Sequence, residues 1–191
     1  MRKLLLLLGL LCAASLAYAA DYKVGDRLAP AAADKATAYK EVSWDDLLPK
    51  DWDPMKAINE LKLDKLKDSD PRAVEAMEKL KRMWNDAPSN PAINGHPIRI
   101  AGFMVPLEWG KHEVKEFLLV PYFGACIHVP PPPANQIIHV IADKPFKSKD
   151  GMDAVWVSGI IELAASKTDM GDSGYRLRAK KIEAYKEPLP Q

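Results

Sequence analysis

The segment GACIHVPPPPANQ, residues 124–136, holds the residues most able to do chemistry. Cys126 and His128 are separated by one residue, and in an extended backbone two such side chains point to the same face. A thiolate and an imidazole on one face can bind zinc, or a softer metal such as Cu(I). The same pair can also act as nucleophile and base, because a neighbouring imidazolium lowers the pKa of a thiol. In a third, structural interpretation the cysteine is buried and the segment only connects two strands.

Two side chains do not complete a metal site, so further ligands must come from elsewhere in the chain. His139 lies in the next predicted strand and could return to the same end of the sheet, and Glu108 lies upstream. We predict Cys126, His128, His139 and Glu108 as the ligands of a transition-metal site, with zinc as the first candidate. His139 also has a structural interpretation, since it lies between Ile138 and Val140.

Four consecutive prolines, Pro130, Pro131, Pro132 and Pro133, come directly after this pair. Proline has a fixed φ and no N–H group, so the run favours a polyproline II rod of about 3 Å per residue. Such a rod can contact aromatic grooves of a partner, or it can hold the Cys-x-His pair at a set distance from Asn135 and Gln136. We predict these prolines, with Asn135 and Gln136, as a rigid rim that binds a partner.

The elements around this segment begin with an export signal. Arg2 and Lys3 precede an apolar stretch from Leu4 to Leu16, and Ala17-Tyr18-Ala19 has the small-x-small pattern of a cleavage site. This is typical of a secretory signal peptide and is too short to span a membrane. Cys12 lacks the small preceding residue needed for lipid attachment, so we expect simple cleavage, a periplasmic protein and no transmembrane segment in the mature chain.

Composition and cysteine count limit the function further. The chain has 27 basic and 26 acidic residues, and loss of Arg2 and Lys3 leaves 25 basic residues against the same 26 acidic ones. A charge near zero gives no electrostatic reason to expect nucleic acid or anionic membrane as a partner. Cleavage also removes Cys12, so Cys126 has no intramolecular disulfide partner in an oxidising compartment.

Helical signals come before the cysteine segment. Ser43 can cap a short helix at SWDDLL, and Asp53-Pro54 and Asp70-Pro71 each combine a capping carboxylate with a proline suited to the first turn. The helix that begins at Pro71 carries a Met/Trp stripe, which we interpret as a core face rather than a ligand surface. The stripe consists of residues that recur at helical spacing: Ala73, Met77, Leu80 and Trp84.

After Pro91 the pattern changes to short segments rich in β-branched and aromatic residues. We predict a mainly β fold with an N-terminal α-helical extension (α+β), in which five strands form a small OB-like barrel or a sandwich. Gly102 and Gly159 are suited to the sharp bends of a barrel. The predicted ranges are a signal peptide at 1–20, a partly ordered lead-in at 21–40, the helical extension at 41–89, the barrel-like domain at 90–186 and a tail at 187–191.

Three stretches resemble an uncharacterised family of bacterial exported proteins, classed as a domain of unknown function. They are GFMVPLEW at 102–109, KEFLLVPYFGACIHVPPPPANQIIHV at 115–140 and VWVSGIIEL at 155–163. The resemblance covers roughly residues 90–185. It implies a periplasmic or envelope-facing role, near metal homeostasis and ABC-type export systems, and it supplies no established activity or catalytic residues.

The sequence carries none of the common local signatures of an enzyme: no Gly-x-Ser-x-Gly, phosphate loop, Cys-x-x-Cys or His-Glu-x-x-His. We therefore predict a non-enzymatic accessory protein of the periplasm with a Cys/His-centred metal site. Its expected partner is an envelope protein or a component of an ABC-type transporter. An envelope interaction module in which the Cys-His-Pro segment is structural is the first alternative, and a thiol-dependent enzyme with Cys126 as nucleophile is the second.

Overall fold

The structure is a computed structural model of the 191-residue chain. It describes residues 22–28, 38–62, 70–108, 112–128, 131–148 and 151–187. The predicted signal peptide and residues 188–191 of the predicted tail lie outside the described residues, as do residues 29–37 of the predicted lead-in.

Five long strands close into a barrel. The strands are β2 (Pro97–Pro106), β3 (Glu113–Val120), β4 (Ile138–Lys147), β5 (Ala154–Thr168) and β6 (Gly171–Ala184). They are hydrogen-bonded in the order β2-β3-β4-β6-β5, and β5 pairs with β2 to close the ring. All pairs are antiparallel except β4–β6. This five-stranded arrangement confirms the predicted OB-like barrel.

Closure depends on a strand that changes its partner and on a bend in β5. The first part of β2 pairs with β5, and from Phe103 onwards β2 pairs with β3. At Gly159, where the register of β5 on β6 shifts, a Cβ atom would lie only 2.1 Å from the carbonyl oxygen of Arg178. A glycine is therefore required there, as the bend predicted at this position implied.

Two apolar clusters lie on opposite sides of the barrel wall. Side chains alternate between the two faces of a strand, so each strand contributes to both. The inner cluster fills the barrel with residues such as Phe117, Val140, Val157 and Leu177. The outer cluster lies against β2, β3 and β5 and is covered by residues 22–28 and by the loop after β3; it includes Phe103, Leu118, Val120, Trp156, Tyr22, Phe123, Cys126, Met152 and Met170.

The segment just before the helices belongs to the barrel. The two-residue strand β1 (Lys40–Glu41) pairs with β2, and Val42 and Leu47 are buried in the inner cluster. Tyr175 donates a 2.6 Å hydrogen bond to the carbonyl oxygen of Leu47 and accepts one of 2.5 Å from the N–H of Asn90. The predicted boundary at residue 90 therefore falls within one apolar core, to which residues on both sides of it contribute.

Two helices form an arm beside the barrel. They are α1 (Pro54–Leu61) and α2 (Pro71–Asn85), and they pack mainly on each other. Asp53 caps α1 by accepting from the N–H of Met55, and Asp70 caps α2 by accepting from that of Arg72, as predicted. Among the described residues, no helix has the length and apolar character needed to cross a membrane.

Candidate functional site

The loop after β3 carries Cys126 in a turn, not in an extended strand. Two N–H groups, those of Ile127 and His128, point back to the carbonyl oxygen of Gly124, at 3.3 and 2.8 Å. Cys126 itself has a φ of +66°, in the left-handed region that non-glycine residues rarely adopt. The extended geometry on which the same-face interpretation of Cys126 and His128 depended is therefore absent. His128 is exposed, whereas Cys126 is partly buried.

The thiol of Cys126 faces apolar surroundings in the outer cluster. Its Sγ lies under the hairpin that joins β5 to β6, where a Cβ atom at Gly171 would be 3.7 Å from the sulfur. The same Cβ would be 3.2 Å from Ile137, so a larger residue at position 171 would crowd this contact. Burial raises the pKa of the Cys126 thiol from its ordinary value of 9.0 to about 12.

A thiol with a pKa near 12 is protonated at neutral pH. Reactive cysteines have lowered pKa values, because the thiolate is both the nucleophile and the metal ligand. The environment of Cys126 is of the opposite kind, apolar and enclosed. These features match the structural interpretation of the segment better than either chemical one.

His139 lies on the outside of β4 and is held by a carboxylate. Its neighbours Ile138 and Val140 point into the barrel, so the imidazole points outward. Nε2 lies 2.7 Å from Oε1 of Glu116 on β3. The other ring nitrogen, Nδ1, is buried and has no hydrogen-bond partner among the described residues.

The predicted metal ligands do not form one site. Glu108 is exposed after the end of β2, His128 is exposed in the turn, and His139 is paired with Glu116. Within the described part of the chain, no three His, Cys, Asp or Glu side chains form a group that could hold a metal ion. The left-handed turn at Cys126 is the physical reason that it and His128 do not present a joint pair.

The predicted partner-binding rim is largely internal. Asn135 and Gln136 are buried in a short 3-10 turn. The Asn135 amide donates to the carbonyl oxygen of Pro88 at 2.9 Å, and the Gln136 amide donates to that of Trp44 at 2.9 Å. These bonds tie the turn to the segments around the helical arm. Both side chains are therefore enclosed and hydrogen-bonded within the chain.

The prolines before that turn are also enclosed. Pro132 and Pro133 are buried and Pro131 is partly buried. Pro133 has φ −55° and ψ 149°, close to polyproline II values. Pro130 lies outside the described residues. The described prolines therefore connect two parts of the core, and they offer little surface to a partner.

The helical arm carries an exposed apolar face. Val74 is 66% exposed and Met77 is 46% exposed, and Met55 of α1 is exposed as well. Leu80 is buried. The interpretation of the whole Met/Trp stripe as a core face is therefore wrong for the first half of α2. The missed signal is the charge content of this helix, since six of its 15 residues are charged, which is typical of a helix that lies largely in solvent.

Sequence reasoning also missed Arg176 of β6. It pairs in register with His139 of β4 and points outward beside it, because Tyr175 and Leu177 point into the barrel. Its Nε is buried without a hydrogen-bond partner among the described residues. Only the strand pairing reveals this neighbour, since 37 positions separate the two residues in the chain.

The fold and the placement of these residues define a class: a small OB-like barrel with a helical arm, in which the cysteine segment is part of the packing. A family model described as a protein of unknown function, DUF3299, matches residues 44–184. The chain therefore belongs to the DUF3299 family.

A solved structure agrees with this assignment. The chain is 31% identical to a DUF3299 family protein from Pseudomonas aeruginosa PAO1, whose crystal structure was determined at 2.45 Å resolution. The match covers 80% of this chain and 99% of that one, with a TM-score of 0.61. A search of curated proteins found no match.

Proposed function

We propose that this protein works after export as a non-enzymatic binding module of the cell envelope, which docks a protein partner on its helical arm. The exposed apolar face of α2, formed by Val74 and Met77, is the observation that carries the proposal. The partner is an envelope protein, with a component of an ABC-type transporter as the first candidate.

The distribution of apolar surface supports a docking role for the arm. Among the described residues, five large hydrophobic side chains are exposed, and three of them, Met55, Val74 and Met77, lie on α1 and α2. On soluble proteins, a patch of exposed apolar residues marks an interaction site more often than a single exposed apolar residue does. An amphipathic helix that leaves its apolar stripe uncovered is suited to a hydrophobic groove on a partner.

Charge around this face indicates what the partner presents. The sequence of α2 contains four basic residues and two acidic ones, and most of the basic residues lie in its second half. Opposite charges at the rim of an interface speed association and fix its orientation. The partner surface should therefore have an apolar centre, with acidic groups opposite the second half of α2.

The chemistry of the barrel supports binding rather than catalysis. The interior is filled by apolar side chains. The one cysteine of the described residues has a pKa raised to about 12 by burial. A nucleophile needs the opposite shift.

Export is supported by the leader at residues 2–19 and by the resemblance to exported proteins. We propose a periplasmic location, with removal of the leader by cleavage and no lipid at Cys12. In that compartment an apolar docking face meets envelope proteins rather than cytoplasmic ones.

Transition-metal binding is a second proposal, confined to Cys126. It is favoured by two thioethers, Met152 and Met170, which share the outer cluster with the thiol. Thiolate and thioether are the ligands that Cu(I) prefers, and zinc also binds thiolate. Burial of the thiol opposes both, because the metal binds only the deprotonated sulfur.

The docking proposal is tested with a double variant, Val74→Ser with Met77→Ser, and a control, Leu163→Ser, on the barrel. Leu163 is also an exposed apolar residue, 40% accessible to solvent. We expect the wild-type protein and the control to elute in a larger complex from envelope extracts of the producing cells, and the double variant to elute alone. Elution of all three at the size of one chain would contradict the proposal.

Two other occupants of the arm are distinguished by the same proteins. If purified wild type alone elutes as a dimer that the double variant loses, the arm binds a second copy and not another protein. If purified wild type instead binds vesicles of phosphatidylethanolamine and phosphatidylglycerol, the arm binds a lipid surface. Either result would overturn the partner assigned above.

A further inference from the structure

We propose that Arg176 and His139, on the outer face of the barrel, form a binding site for a single carboxylate group. The site is independent of the helical arm and of Cys126. It is defined by two buried nitrogens that have no hydrogen-bond partner among the described residues, Nε of Arg176 and Nδ1 of His139.

The strand register brings the two side chains together. His139 of β4 and Arg176 of β6 are direct partners in the parallel pair. Both point outward, because the residues on either side of each belong to the inner cluster. Leu118 of β3 and Glu162 of β5 extend the same row across the sheet. The two side chains therefore lie next to each other on one face.

Unsatisfied buried donors are costly, which makes this pair unusual. A buried polar group loses its hydrogen bonds to water without replacement when it is unpaired, and the loss is larger when the group is charged. The side chain of His139 is only 8% exposed. Neighbouring cations on β6 are satisfied: Arg178 pairs with Glu162 at 2.9 Å and Lys180 with Asp143 at 2.8 Å. Within the described part of the chain, Arg176 forms no such pair.

The donor set fits an oxyanion. An arginine Nε–H can only donate. Glu116 lies against Nε2 of His139, so a ring that carries a proton on each nitrogen presents Nδ1–H as a second donor. Two donors on one face match the two oxygens of a carboxylate.

The local charge favours a monoanion over a phosphate. With that form of the ring, Arg176, Arg178 and His139 supply three positive charges, and Glu116 and Glu162 supply two negative ones. The remaining charge of +1 is neutralised by one carboxylate, whereas a phosphate monoester carries about −1.5 to −2 at pH 7. The ligand is therefore a carboxylic acid anion, from a small molecule or from a peptide.

Glu116 is the carboxylate that already contacts the His139 ring, at Nε2. Its side chain is 54% exposed, so it can rotate into solvent at little cost. Glu116 also competes with the ligand, because it carries the same functional group.

The test is a titration of the full mature chain with acetate, observed through the ¹⁵N resonances of the His139 imidazole. We expect a saturable shift at Nδ1 in the wild type. Arg176→Gln should weaken acetate binding at least tenfold. Lys180→Gln, four residues further along the same strand and with the same change in net charge, should bind acetate within twofold of wild type.

A third variant keeps the result informative if Arg176→Gln does not fold. Glu116→Gln preserves an acceptor for Nε2 and removes the competing charge, so it should bind acetate several-fold more tightly. Four results would each overturn the proposal. They are a shift that does not saturate, a loss of acetate affinity in Lys180→Gln equal to that in Arg176→Gln, weaker acetate binding in Glu116→Gln than in wild type, and tighter binding of inorganic phosphate than of acetate.

The same titration distinguishes the two sources of the carboxylate, a small acid and a peptide C-terminus. A blocked trialanine peptide with a free C-terminus is compared with its C-terminal amide and with acetate. Tighter binding of the free peptide than of acetate assigns the site to peptide C-termini, and weaker binding assigns it to small acids. Binding of the amide equal to that of the free acid would overturn the carboxylate assignment.

Discussion

Cys126 shows how a single backbone angle decides which chemistry a residue can perform. Its φ of +66° turns the chain so that the thiol faces the outer apolar cluster while His128 faces solvent. The result is a protonated sulfur without an imidazole neighbour that could lower its pKa. Both the reactivity of this thiol and the stability of the fold at high pH depend on that state.

The first prediction concerns alkylation of Cys126 by iodoacetamide. Because burial raises the pKa of the thiol, labelling of the folded chain at pH 8 should be far slower than labelling of the urea-unfolded chain. If the segment is only structural, the rate should be the same with and without zinc or Cu(I), and protection by either metal would instead support the second proposal, a metal site at Cys126. If metal slows alkylation of Cys126 in the wild type but not in His128→Ala, the structural interpretation is contradicted, and Cys126 and His128 bind the metal together as the sequence predicted.

The second prediction concerns stability at high pH. The unfolded chain loses the Cys126 proton near its ordinary pKa of 9.0, whereas the folded chain holds it up to about 12. Between those values the unfolded state binds fewer protons, so the free energy of unfolding falls as pH rises. Below pH 9.0 both states hold the proton and the effect vanishes.

Urea unfolding at pH 7 and pH 10 measures this effect. The wild type should lose about 1.4 kcal/mol more than Cys126→Ala between the two values, by the linkage of pKa to stability. Only the change with pH is compared, since the substitution also alters packing. Equal losses in the two proteins would show that the thiol is not held protonated by the fold.

Side-chain types and spacing identified Cys126 and His139 as notable positions, and the structure places both on the outer side of the barrel wall. They did not identify the turn at Cys126, because a left-handed cysteine has no local signature comparable with glycine. They also did not identify Arg176, because its contact with His139 depends on a parallel strand pair. Long-range register of this kind cannot be read from local patterns.

At the scale of elements, the segment before the helical arm is part of the barrel. Leu47 is buried in the inner cluster, and Tyr175 bridges it to Asn90 through one hydroxyl group. The strands and both helix caps were predictable, since alternation and the Asp-Pro pairs are local signals. The attachment of residues 40–48 was not, because a two-residue strand and a single 3-10 turn carry too little periodicity.

The third prediction tests that attachment with Tyr175→Phe. The change leaves the Asn90 N–H and the Leu47 carbonyl oxygen without their partner, at a cost of about 1–3 kcal/mol of unfolding free energy. Urea unfolding at pH 7 provides the measurement. Met77→Ala, on the exposed face of α2, serves as the control and should stay within about 0.5 kcal/mol of wild type. A Tyr175→Phe protein as stable as the control would mean that residues 40–48 are not tied to the barrel core.

At the scale of the whole molecule, the docking proposal gives the barrel and the arm different tasks. The barrel has a filled interior and an outer wall that is also packed, which leaves it as a rigid support. The arm presents Met55, Val74 and Met77 to solvent. A rigid support with one exposed apolar face is the arrangement that a docking protein needs.

The docking claim is tested most directly by photo-crosslinking inside the producing cells. Benzoylphenylalanine replaces Val74, Met77 or, as a control, Leu163 of the barrel. We predict one adduct of the same mass from positions 74 and 77, containing a different envelope protein, and no such adduct from position 163. Absence of an adduct from both arm positions, or the same adduct from all three, would contradict the claim that the helical arm is the docking surface.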